Sequence, residues 1–104
     1  MRVLVEMYLT KAGHVVEMVE DGDLALARLN EDVKYDVLLT DNQMPRMSGL
    51  VLLKLLRLDS RFDELPIIVF SMDAIERTVV DLDGMYADKS DLKSLDDALK
   101  KAAS

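Results

Sequence analysis

A small α/β domain with an acidic strand end is the fold this sequence predicts, and three observations carry that expectation. Two short continuous apolar runs, residues 37–39 (VLL) and 67–70 (IIVF), have the length and character of strands buried on both faces. Segments with helical apolar spacing alternate with these runs, as they do in βαβ architecture. The first run leads into Asp41, and open α/β sheets place their chemistry at the carboxyl ends of such strands. The 104 residues are expected to form one domain, 1–104, with one modest core.

Composition narrows the function classes. The formal net charge of −7 opposes direct nucleic-acid binding, because phosphate contacts require Lys and Arg. The chain has no Cys, which excludes a disulfide scaffold and a thiolate metal site. No targeting segment and no apolar run long enough to cross a membrane is visible, so a cytoplasmic location is the default expectation.

The first thirteen residues, MRVLVEMYLTKAG, have two readings. In one they form a helix, with Val5, Tyr8, Leu9 and Ala12 on one face and Gly13 ending it at positive φ. In the other, residues 2–5 (RVLV) form a strand that ends at Glu6, and the helix shrinks to residues 7–12, little more than one turn. Residues 14–19 are a plausible strand of imperfect alternation. His14, the only histidine, is expected at the surface or in a local hydrogen bond, and is assigned neither as a phosphodonor nor as a metal ligand.

Asp21 and Gly22 mark a turn, and Asp21 or Asp23 is suited to cap the next helix, whose buried stripe is Ala25, Leu26 and Leu29. After the strand at 37–39, Pro45, Ser48 and Gly49 break the extended pattern and lead into the most apolar helix, LVLLKLLRL. Leu52, Leu53 and Leu56 fit its core face. Val51, Leu55 and Leu58 form a second stripe that a small domain cannot readily bury.

Residues 57–64 read as a charged linker, and Pro66 precedes the strand that Ser71 ends. Asp73 is expected to cap a helix over residues 74–82. Residues 85–87 form a very short strand. Ser90 is expected to cap the last helix, which has Leu92, Leu95, Leu99 and Ala102 on one face and Lys100 and Lys101 at its carboxyl end.

The stretch YDVLLTDNQMPRMSGL, residues 35–50, resembles the phosphoacceptor region of the receiver domain of bacterial response regulators. The apolar strand, Asp41, the Met44-Pro45 pair, Met47 and Gly49 carry the resemblance. It implies a flavodoxin-like doubly wound parallel sheet with helices on both sides, with Asp41 as phosphoacceptor, Ser71 bonding a phosphoryl oxygen and Lys89 pairing with another. Tyr86 lies three residues before Lys89, the spacing of the family's rotating aromatic switch. An amphipathic residue at a sheet edge is the plainer reading of Tyr86. The resemblance also implies a sensor histidine kinase or phosphotransfer protein as phosphodonor, a downstream protein target, and a signalling role rather than an enzymatic one.

The family holds Mg²⁺ with an acidic pair at the end of its first strand, the acceptor Asp and one backbone carbonyl. Here the matching ligands are Asp41, the Gln43 carbonyl and, on the strand reading, Glu6. On the helix reading the acidic pair is absent, and the family sheet would be incomplete, rearranged or domain-swapped. One carboxylate and one carbonyl make a poor octahedral site without completing waters, so Mg²⁺-dependent phosphorylation is expected to be weak or absent.

Other departures are Met72 in place of a small residue, Ser90 in place of the proline after Lys89, and a segment from Ser71 to Lys89 that is shorter by about one helical turn. The alternative reading is a degenerate receiver-like module that acts without phosphorylation, by protein binding or as a homodimer through the second leucine stripe. A hydrolase with Asp41 as nucleophile lacks a convincing general base.

Overall fold

Among the described residues three parallel strands form the sheet: β1 (Leu38–Asp41), β2 (Ile67–Ser71) and β3 (Met85–Asp88), in the order β1-β2-β3. The computed structural model describes residues 7, 9–15, 17, 19, 21–31 and 35–103. Residues 2–5 and Glu6, on which the two readings of the amino-terminal segment turn, lie outside the described residues. Among the described residues the sheet is incomplete, and its order is neither rearranged nor interrupted.

Side chains alternate across the central strand, because successive residues of a strand point to opposite faces. Ile67 and Val69 meet Ala25, Leu52, Leu53, Leu56 and Val79 on one face. Ile68 and Phe70 meet Ala87, Leu95 and Ala98 on the other. Helices supply these layers, α1 (Gly22–Leu29), α2 (Gly49–Arg57), α3 (Glu76–Asp81) and α4 (Leu92–Ala103) among the described residues. Cores on both faces explain why the strands read as continuous apolar runs rather than as alternating ones. β1 begins one residue later than the apolar run and continues to Asp41, so the acidic residue is the last of the strand.

Met7 and residues 9–11 have helical backbone. Gly13, at φ 94°, donates its N–H to the Thr10 carbonyl, and His14 donates to the Leu9 carbonyl. This pair of bonds is a Schellman ending, which needs the left-handed conformation that glycine adopts freely. His14, Val15, Glu17 and Val19 take no part in a strand, contrary to the strand expected over residues 14–19. His14 is exposed.

α1 begins as expected, with Asp21 Oδ1 accepting from the Leu24 N–H at 2.9 Å. Leu52, Leu53 and Leu56 of α2 are fully buried, whereas Val51, Leu55 and Leu58 are 46%, 41% and 77% exposed. Arg57 closes α2 rather than opening a linker, and its guanidinium donates to the carbonyls of Phe62, Leu65 and Asp83. The segment it ties down contains a short 3-10 turn, Ser60–Phe62.

Two expected caps are corrected. α3 starts at Glu76, two residues later than expected, and its cap residue Ile75 offers no side-chain acceptor. Asp73 does not cap it, because Asn42 and Gln43 take its carboxylate. At α4 the cap is Asp91, whose Oδ1 accepts from the Lys93 N–H at 3.0 Å. Ser90 is diverted to Asp88. Leu95 and Ala98 are buried, while Leu92 is half exposed and lies outside the core face.

Candidate functional site

Parallel strands bring their carboxyl ends to one rim, and at this rim β1 ends in Asp41, β2 in Ser71 and β3 in Asp88, with Lys89 next. The register aligns Asp41 with Phe70, and Ser71 with Asp88. Lys89 reaches back across the rim, and its Nζ lies 2.6 Å from Asp41 Oδ1. Both side chains are about one-fifth exposed, at 20% and 21%. This is a short, partly shielded ion pair, in which attraction is screened less than at a free surface. Lys89 is also fixed through its backbone, its N–H donating to the Ser71 carbonyl at 3.1 Å.

Ser71 is 3% exposed. Its Oγ accepts from the Asp73 N–H at 2.8 Å, which turns the chain sharply after β2. Tyr86 donates its single hydroxyl hydrogen between two carbonyls, Ser71 at 2.9 Å and Asp73 at 2.8 Å. Its phenol is held above the usual range, first by burial and then by the Asp88, Glu76 and Asp73 carboxylates.

The loop after β1 is shaped by close backbone contacts. Gly49 donates its N–H to the Asn42 carbonyl at 2.8 Å, and Leu50 donates to Asn42 Oδ1 at 3.2 Å. A Cβ at Gly49 would stand 2.3 Å from the Asp41 carbonyl oxygen. Only glycine lets the start of α2 approach the end of β1 this closely. Ser48 caps α2, its Oγ accepting from the Val51 N–H at 3.2 Å. Arg46, at φ 66°, pairs with Asp21 at 3.3 Å and so ties this loop to the start of α1.

Asp73 is the site residue that sequence reasoning assigned to another task. Asn42 Nδ2 donates to its Oδ2 at 3.0 Å, and Gln43 Nε2 donates to its Oδ1 at 3.1 Å. The Asn42 bond, with smaller contributions from Ser71, Gln43 and the Lys89 charge, holds the Asp73 carboxyl below its ordinary value. A polar residue shortly after a strand is a common cap, so the sequence carries no signal for this cross-loop role.

The structure therefore brings Asp41, Ser71 and Lys89 together at one rim, with Gln43 in the adjoining loop; Glu6 lies outside the described residues. Among the described residues there is no group of three or more His, Asp or Glu side chains able to hold a metal ion. Met72 is exposed and borders a shallow cavity of about 790 Å³ with Asp73, Arg77, Val80 and Tyr86.

The sequence matches the response regulator receiver domain family over residues 1–101. It is 38% identical over 82 residues to chemotaxis protein CheY1 of Helicobacter pylori, an alignment covering 77% of this chain and 65% of that protein. This chain thus spans slightly less than two thirds of that relative's length. Among solved structures, chemotaxis response regulator CheY4 of Vibrio cholerae superposes with a TM-score of 0.83 at 25% identity, covering 97% of this chain and 88% of that one. The receiver domain of a sensor histidine kinase of Pseudomonas aeruginosa gives a TM-score of 0.80 at 25% identity, with 99% and 88% covered. That structure has a magnesium ion coordinated in its active-site cleft.

Proposed function

The chain belongs to the response regulator receiver domain family, and from that premise we propose that residues 1–104 act as one receiver domain in phosphorelay signalling, with Asp41 as phosphoacceptor. The supporting observation is the Lys89–Asp41 pair beside the buried Ser71 at the carboxyl rim of the sheet. The donor is a phosphohistidine on a sensor kinase or phosphotransfer protein. Its P–N bond breaks as an Asp41 carboxylate oxygen forms the new P–O bond, and the imidazole leaves with a proton from solvent. Both reactants are anionic, so positioning and charge neutralisation carry most of the catalysis. Lys89 supplies the positive charge, and the Ser71 hydroxyl, whose Oγ accepts from the Asp73 N–H, donates to a phosphoryl oxygen.

Magnesium is the cofactor the family implies. The described residues do not by themselves fit it, since they offer one carboxylate from Asp41 and one carbonyl from Gln43. No step here is routed through the ion.

The output is a population shift at the surface read by a protein target, in the cytoplasm. The experiment is incubation with acetyl phosphate, with and without Mg²⁺, followed by intact-mass measurement. One added phosphoryl group, lost in Asp41→Asn, is the expected result; no adduct refutes the reading.

A second reading rests on the exposed stripe Val51, Leu55 and Leu58. An apolar stripe of this kind suits a second copy of the chain, giving a homodimer that needs no phosphorylation. Light scattering on the wild type and on Leu55→Glu tests it, and a monomer in both cases removes it.

A further inference from the structure

One residue bonds to four others across the site, through its carboxylate, its N–H and its carbonyl. The Asp73 carboxylate accepts from Asn42 and Gln43 in the loop after β1. Its N–H donates to the Ser71 hydroxyl oxygen. Its carbonyl accepts from the Tyr86 hydroxyl. The carboxylate bonds link residue positions 30 and 31 apart in sequence, so they are tertiary bonds rather than a local turn.

The geometry points to Asp73 as a positioning residue for phosphoryl acceptance: its carboxylate latches the loop after Asp41 to the loop after Ser71, and it lets go when a phosphoryl group stands on Asp41. The inference rests on the phosphoacceptor reading above.

Charge supplies the physical reason. A phosphoryl group on Asp41 brings about two negative charges to the rim between Ser71 and Lys89. The Asp73 carboxylate is an anion bonded to Asn42, the neighbour of Asp41, and the backbone N–H of the same residue is bonded to Ser71 Oγ. Like charges in a partly shielded site repel, so the latched state resists the incoming group. The amides of Asn42 and Gln43 are donors, and an anionic phosphoryl oxygen competes with Asp73 for them. Once the carboxylate is free, the carbonyl of the same residue shifts too, and Tyr86 loses one of its two acceptors. Occupancy of Asp41 thereby reaches an aromatic residue on β3 through one side chain.

The test compares the wild type with Asp73→Ala, Asp73→Asn, Gln43→Ala and the double variant Gln43→Ala/Asp73→Ala. Asp73→Asn keeps the shape without the charge. Urea midpoints check that each variant is folded. Phosphoryl uptake from acetyl phosphate is timed by intact mass, and the side-chain amide resonances of Asn42 and Gln43 are recorded without phosphodonor. Uptake is expected to rise about threefold to tenfold in both Asp73 variants, and the double variant should be no faster than Asp73→Ala, because both changes open one contact. The Asn42 and Gln43 amide signals should move in Asp73→Ala.

Uptake within twofold of wild type or slower, or effects that multiply in the double variant, overturns the latch while leaving the phosphoacceptor reading intact. No uptake by any variant overturns the phosphoacceptor reading. The tie between the loops is then judged by the amide resonances, and their indifference to Asp73→Ala overturns it as well.

Discussion

Replacing Gly49 by alanine inserts one methyl group between α2 and the end of β1. The new Cβ would lie 2.3 Å from the Asp41 carbonyl oxygen and 3.0 Å from both Asn42 Cα and the Asp41 carbonyl carbon. The first distance is more than 1 Å inside ordinary van der Waals contact. All three obstructing atoms belong to the backbone, so no side chain can rotate out of the way. Either the first turn of α2 must move outward or the end of β1 must shift, and the Gly49 N–H bond to Asn42 stretches in both cases.

Overpacking of this kind costs about 1–3 kcal/mol. Alanine recovers about 0.4–1 kcal/mol by restricting the unfolded chain, which leaves a net loss near 2 kcal/mol at the upper end. For a domain of this size that corresponds to a fall in Tm of roughly 8–16 °C. Urea denaturation followed by far-ultraviolet circular dichroism measures the change, with the slope showing whether the unfolding remains the same transition. A Gly49→Ala protein as stable as the wild type, with an unchanged slope, would refute the close approach of α2 to Asp41.

Three further outcomes follow from the packing and the caps. Leu53 is fully buried between α2 and the sheet, so Leu53→Ala should cost about 2–5 kcal/mol in urea denaturation. Asp91→Ala should cost about 1 kcal/mol, read as a lower Tm and faster amide exchange in the first turn of α4, because Asp91 caps that helix. The Ser90 backbone and hydroxyl bonds hold the Asp88 carboxyl below its ordinary 3.8. A lowered folded value means stability that is present above the unfolded pKa and lost as pH falls through the folded one. Asp88→Asn should therefore flatten the acid limb of the urea midpoint, measured from about pH 5 to pH 2. An unchanged limb would show that Asp88 contributes nothing there.

Much of the scaffold was legible because it rests on local chemistry. Continuous apolar runs gave β1 and β2, since a strand buried on both faces needs them. Gly13 and Asp21 ended and started helices through backbone rules that act over a few residues. The second leucine stripe stayed exposed because the core face of α2 was already filled by Leu52, Leu53 and Leu56. The grouping of Asp41, Ser71 and Lys89 follows from each residue's place at a strand end.

What could not be read was competition among acceptors. Ser90 and Asp91 are adjacent and both suit a helix cap; only the presence of Asp88 diverts Ser90. Asp73 likewise suited a cap until two amides from a loop some thirty residues away claimed its carboxylate.

The same diversion answers the doubt raised by the missing proline after Lys89. A proline ring would fix that loop covalently. In this chain hydrogen bonds fix it instead: Asp88 Oδ1 accepts from the Ser90 N–H at 2.9 Å and from the Ser90 hydroxyl at 2.7 Å. The Asp88 N–H donates to Ser94 Oγ at 3.0 Å, and the Lys89 N–H is bound to Ser71. Among the described residues no peptide bond is cis. A typical bond of this kind contributes about 1 kcal/mol, the same order as a partly shielded ion pair. Four such bonds together outweigh the single Lys89–Asp41 contact they support. Hydrogen bonds among Ser71, Asp88, Ser90 and Ser94 thus hold the Lys89 backbone where its Nζ reaches Asp41, a task that a proline ring would otherwise share.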